Sequence, residues 1–170
     1  MLLHAGDQTL VAEHLAGRKL TPAAMLKTLN DALQERRLDS QYVTMLYALW
    51  NDENLTLQVA NAGAVQPLFC RGEEIETIRA EGFPLGMFPS ASWEEFSIAT
   101  QPGDSVVFFS DGIVESTNGN DEQFGVHRIA AELVTLRSQS PEAIAEAISA
   151  AAAAHGTSPD DRSILVIRVL

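Results

Sequence analysis

The run Pro102-Gly103-Asp104-Ser105-Val106-Val107-Phe108-Phe109-Ser110-Asp111-Gly112 restricts what this chain can fold into more than any other stretch. Pro then Gly suits the central positions of a type II turn, because Pro presets φ and Gly accepts a positive one. The apolar run Val106 to Phe109 is too short for a helix and rich in strand formers, so it reads as a strand buried on both faces. Asp111 sits where that strand leaves the core, a place where scaffolds tend to put chemistry. Taken alone, Asp111 also reads as an ordinary turn residue.

Around this strand the chain alternates hairpins and helices. Val43, Met45, Tyr47 and Leu49 alternate with Thr44, Leu46 and Ala48 in a strand over Tyr42 to Trp50. Asn51 to Asn54 turns the chain, and Leu55, Leu57 and Val59 then face one side, predicting an antiparallel hairpin with one buried face. Pro67 to Arg71 and Glu74 to Ile78 predict a second hairpin around Gly72. Residues 80 to 92 read as an irregular loop, Trp93 to Ala99 as a strand, and Ser163 to Val169 as the last strand. Helical spacing covers residues 1 to 16, ended by Gly17. A second helix begins at Thr21-Pro22 with Met25, Leu26, Leu29 and Leu33 on one face. After Gly112 the chain reads as a polar segment with a surface turn at Asn118 to Asp121. Val126, Ile129, Leu133 and Leu136 predict one more helix, and Ser140-Pro141 opens the last, with Gly156 as its C-terminal cap. Hairpins without βαβ units indicate an α+β fold with mostly antiparallel sheet, as one domain over residues 1–170.

The 170 residues carry a net charge of −12, which argues against nucleic acid and anionic membrane as partners. No apolar stretch reaches transmembrane length, and Met1 opens onto Leu2 and Leu3 without a signal-peptide pattern. The lone Cys70 fits a reducing compartment, so a cytoplasmic location is expected.

The carboxylates that could carry chemistry are Asp111, which follows the buried strand, and Asp160 and Asp161, which precede the last one. If those two strands pair antiparallel, the three carboxylates converge on one edge. Such crowding of like charge costs stability without a counter-charge, and a hard cation such as Mg²⁺ or Mn²⁺ with oxygen ligands supplies it. The bland alternative is two unrelated turn sites. His4, His14, His127 and His155 stand singly, which leaves no zinc spacing, and no P-loop or Ser-His pairing is present.

Read together, six motifs resemble the bacterial PPM-type serine/threonine phosphatases of the sporulation stage II protein E (SpoIIE/RsbU-like) branch. They are Tyr42-Val43-Thr44-Met45-Leu46-Tyr47, Asn61-Ala62-Gly63, Gly82-Phe83-Pro84-Leu85-Gly86, Pro102-Gly103-Asp104, Ser110-Asp111-Gly112-Ile113-Val114-Glu115 and Asp160-Asp161-Arg162-Ser163. The resemblance implies an α-β-β-α sandwich of antiparallel sheets with a dinuclear Mn²⁺ or Mg²⁺ site. It implies attack of a metal-activated water on the phosphorus of phosphoserine or phosphothreonine. Asp111 then maps onto the metal-binding Asp of an Asp-Gly motif and Asp160 onto that of the C-terminal motif, with Asp161 beside it and Gly112 providing close backbone approach. The implied partner is a phosphorylated anti-sigma-factor antagonist.

The departures from the family pattern are specific. The early acidic strand and the Asp-x-x-Gly-x-Gly turn are not matched: Gly6-Asp7 runs into Gln8-Thr9-Leu10-Val11. Ala64 stands where the family has His after Asn-Ala-Gly. The chain is expected to represent the C-terminal two-thirds of the domain, lacking its N-terminal strands. Uncovered sheet then makes a homodimer a fair expectation. The alternative function is that of a catalytically incomplete remnant, a protein-binding regulatory module in partner switching.

Overall fold

The computed structural model describes residues 21–36 and 41–170; the helix expected over residues 1 to 16 lies outside them. Helix α1, Pro22–Glu35, begins as expected at Thr21, whose hydroxyl accepts the Ala24 amide at 3.4 Å. Strands β1 (Met45–Asn51) and β2 (Thr56–Ala62) form the first hairpin, in register from Met45↔Ala62 to Asn51↔Thr56. Strands β3 (Leu68–Arg71) and β4 (Glu74–Thr77) form the second. Strands β5 (Phe96–Ala99) and β6 (Ser105–Phe109) follow, then a short helix α2 (Asp111–Val114). Helices α3 (Gly125–Leu136) and α4 (Pro141–His155) precede the last strand, β7 (Ile164–Arg168).

The strands make two antiparallel sheets, ordered β1-β2-β5 and β4-β3-β6-β7. Side-chain alternation along the strands explains how four layers stack, because successive residues point to opposite faces. Ala60 and Ala62 of β2 pack with Leu26 of α1 on the outer face of the first sheet. Leu57 and Val59 point the other way and meet Phe69 and Val106 between the sheets. Leu68, Cys70, Val107 and Phe109 cover the far side of the second sheet against Ile129 and Leu133 of α3 and Ile144 and Ile148 of α4. Three apolar interfaces separate four layers, which is the α-β-β-α sandwich expected from the motifs.

Several local expectations are corrected. The first hairpin is covered on both faces, by α1 on one side and the second sheet on the other. Strand pairing of β5 begins at Phe96, opposite Val59, whereas Trp93 to Glu95 lie outside it. Trp93 is buried with its indole N–H donating to the Phe83 carbonyl at 2.9 Å, and Glu95 accepts the Ala23 amide of α1 at 3.2 Å. Those side chains tie the segment to the helix layer, so it cannot run flat in the sheet. Gly156 follows α4 with φ of 176°, which is extended backbone. Glycine is required there for space, because a Cβ would lie 2.0 Å from the Thr117 carbonyl oxygen.

The opening turn forms as expected. Gly103 has φ of +95°, and the Asp104 amide donates to the Gln101 carbonyl at 3.1 Å. Asp104 is buried, accepts the Gln101 amide at 2.9 Å and pairs with Arg71 at 2.6 Å, so this acidic residue pins the turn to β3. Cys70, also in β3, is buried, and that burial pushes its thiol above the ordinary range. A raised folded-state value keeps the neutral thiol, so its contribution to stability is full below the unfolded value and declines as pH rises through the folded one. Native Cys70 should therefore react with a thiol reagent no faster than the protein opens. The check is the labelling rate at pH 8 with and without urea.

Candidate functional site

The arrangement starts from the pairing of β6 with β7, in register from Ser105↔Arg168 to Phe109↔Ile164. That pairing, assumed from sequence, places the end of β6 beside the start of β7. The ladder extends one residue further, since the Ser110 amide donates to the Ser163 carbonyl at 2.9 Å. Its hydroxyl then serves both segments: it accepts the Ser163 amide at 2.9 Å and donates to the Asp161 carbonyl at 3.0 Å.

Asp111 opens α2, a helical turn that runs into the stretch after Gly112 expected as a polar segment. One carboxylate oxygen of Asp111 accepts the Gly112 amide at 2.9 Å, and its carbonyl accepts the Glu115 amide at 2.7 Å. Gly112 is buried against the other segment. A Cβ there would lie 2.4 Å from the Asp161 carbonyl oxygen and 2.8 Å from that of Asp160. Both are main-chain atoms that cannot swing aside. Gly112 therefore lets the two segments approach closely through their main chains.

Below the carboxylates lies a polar layer. Ser116 is fully buried; its hydroxyl donates to the Gly112 carbonyl at 2.9 Å and accepts Arg162 Nε at 3.0 Å. Arg162 Nη2 donates to the Gly156 carbonyl at 2.7 Å. Thr117 and Thr157 exchange amide-to-carbonyl bonds at 2.8 and 3.1 Å. Sequence reasoning passed over Ser110, Ser116 and Arg162 as site residues. Ser110 and Arg162 stood inside the quoted motifs, while Ser116 follows Glu115 and carried no signal of its own.

Asp111, Asp160 and Asp161 are all exposed, so their carboxylates face water. Among the described residues, no group of three or more His, Cys, Asp or Glu side chains stands together as a metal cage. The expected convergence of three carboxylates is thus corrected: the two acidic segments meet through their main chains at Gly112. Oxygen donors at a water-facing edge fit a hard cation that keeps most of its own waters. They do not form a closed two-metal cage.

The Asn61-Ala62-Gly63 motif has a different role. Asn61 is buried, donates to the carbonyls of Ala64 and Ala80 at 2.9 and 3.0 Å, and accepts the Ala64 amide at 2.8 Å. Asn61→Ala should cost about 1–3 kcal/mol by orphaning those backbone groups, read as a lower urea midpoint.

A model of the stage II sporulation protein E (SpoIIE) family matches residues 5–170. Phosphoserine phosphatase RsbU of Bacillus subtilis (strain 168) is 30% identical over 102 residues, a match covering 58% of this chain and 30% of RsbU. The match therefore spans less than a third of that relative's length. Among solved structures, the SiaA-PP2C domain of Pseudomonas aeruginosa aligns with a TM-score of 0.81 at 21% identity, over 92% of this chain and 64% of that one. The Mn-presoaked phosphatase domain of the cell fate determinant SpoIIE from Bacillus subtilis aligns with a TM-score of 0.68 at 20% identity, over 99% and 74%. At these identities the structural likeness is one of fold, and it is the same antiparallel sandwich.

Proposed function

Because the chain belongs to the stage II sporulation protein E family, we propose that it hydrolyses phosphoserine or phosphothreonine on a regulatory protein, with Mn²⁺ or Mg²⁺ as cofactor. The observation that carries this reading is the seating of Gly112 on the main chain of Asp160 and Asp161, which sets Asp111 and Asp160 at one sheet edge. Asp111 and Asp160 would hold the cation, with Asp161 beside them. The chemistry that a bound Mn²⁺ or Mg²⁺ supplies is an activated water and neutralisation of phosphate charge.

The chain's own groups orient the donors. The Gly112 amide fixes the Asp111 carboxylate against the first turn of α2, and the Ser110 hydroxyl fixes the Asp161 carbonyl. Net charge supports a cation requirement, since a chain of −12 repels a phosphate dianion that arrives alone. The same charge disfavours nucleic acid, and among the described residues no helix is long and apolar enough to cross a membrane. The substrate we favour is a phosphorylated anti-sigma-factor antagonist in the cytoplasm, by analogy with RsbU, a phosphoserine phosphatase by name.

A second reading is a regulatory module that binds its partner without turning it over. It is favoured by the lack of a three-ligand group among the described residues. Release of phosphate from a phosphoserine peptide, with Mn²⁺ and again with EDTA, separates the two. Manganese-dependent release supports catalysis. Absent or EDTA-resistant release removes it, and calorimetric titration with phosphorylated and unphosphorylated antagonist then tests the module.

A further inference from the structure

We infer that Arg162 is the positioning residue of this site: its guanidinium, through Ser116, sets where the Asp160-Asp161 segment lies against Asp111. The inference rests on the proposed reading for its functional meaning, while its structural content stands on its own.

The segment from Gly156 to Ser163 crosses the segment from Ser110 to Thr117 and is stapled to it at both ends. One staple is the Ser110 hydroxyl between Asp161 and Ser163. The other is the reciprocal pair of Thr117 and Thr157, where Gly156 lets the two main chains close together. Arg162, inside the first staple, reaches toward the second, Nε to Ser116 and Nη2 to Gly156, the neighbours of Thr117 and Thr157. Both acceptors are neutral oxygens, so what the site uses is the fork of the guanidinium, two donors held in one plane. The buried Ser116 hydroxyl passes the connection on, since it donates to the carbonyl of Gly112, the residue that touches Asp160 and Asp161. Arg162 is thus bonded to its own segment's start and to the floor under Asp111. A lysine keeps the charge but is a single point donor and cannot span both acceptors.

The test uses Arg162→Lys and Ser116→Ala, with Ser140→Ala as a control that removes the N-terminal cap of α4 far from the network. Two readouts are taken: amide hydrogen exchange and calorimetric Mn²⁺ affinity. In both network variants the Thr117 and Thr157 amides should exchange about tenfold faster, as expected for one lost charge-assisted bond, while β6 and β7 amides keep their rates. Mn²⁺ affinity should fall about 10–100-fold, the usual effect of losing a partner that orients a ligand. The control should show neither local change. Uniform acceleration across the chain, or none at Thr117 and Thr157, overturns the inference. If the parent takes up no Mn²⁺, the phosphatase reading fails, and exchange at Thr117 and Thr157 alone decides whether Arg162 positions the segment.

Discussion

Asp111→Asn should leave the fold unchanged and lower Mn²⁺-supported phosphoserine hydrolysis by ~10²-fold or more, the scale of removing one group that stabilises developing charge. The substitution is chosen because it changes little else. Asparagine keeps an oxygen that can accept the Gly112 amide, so the first turn of α2 persists. Asp111 is exposed, so no buried contact is lost. What disappears is one negative charge on the residue next to Gly112, which rests on the main chain of Asp160 and Asp161. Initial rates at saturating Mn²⁺ separate the effects: a role at the reacting centre lowers kcat, whereas a role in metal uptake alone is rescued by more Mn²⁺. Parent-level turnover in the variant under all Mn²⁺ concentrations would remove Asp111 from the site.

Gly112→Ala should destabilise the fold by about 1–3 kcal/mol. The added carbon would lie 2.4 and 2.8 Å from carbonyl oxygens of the opposite segment. Neither atom belongs to a side chain that can rotate away. Relief requires prising the Asp160-Asp161 segment from α2, which strains the Ser110 hydroxyl bonds to Asp161 and Ser163. Gly119→Ala is the comparison, because nothing lies within 4 Å of a Cβ there. It should stay within ~0.5 kcal/mol of the parent. Urea unfolding with unchanged slope reads both values. Equal midpoints for the two variants would show that the close approach at Gly112 is not tight.

Much of the fold was legible because its signals are local. The Thr21-Pro22 and Ser140-Pro141 helix starts, the Gly72 hairpin and the Pro102-Gly103 turn are each specified by a few adjacent residues. Each formed where expected. The run Val106 to Phe109 announced a strand covered on both faces, and its alternate residues do point into two different cores. What was not legible depends on distant partners. β1 and β2 looked one-faced, because small Ala60 and Ala62 do not advertise that a helix rests on them. Trp93 to Glu95 read as the start of a strand but are drawn off by Phe83 and by Ala23, the latter 72 residues away.

The site divides along the same line. The sequence marked Asp111, Gly112, Asp160 and Asp161, and the pairing of β6 with β7 brings Gly112 onto the main chain of Asp160 and Asp161. The network beneath them could not be read, since a buried serine and a forked arginine look like surface residues until the segments cross. The expectation of three converging carboxylates failed for a geometric reason. Strand pairing fixes where main chains meet, and here the contact is Gly112 against two carbonyls, with the carboxylates turned to solvent.

The most direct test of the central claim, that Asp111 and Asp160 serve one cation, is a double-mutant cycle read by Mn²⁺ titration calorimetry. Asp111→Asn and Asp160→Asn should each remove most of the binding, and the double variant should lose little more, because groups sharing one ligand couple strongly. Full additivity of the two losses, or Mn²⁺ binding that neither substitution changes, would contradict it.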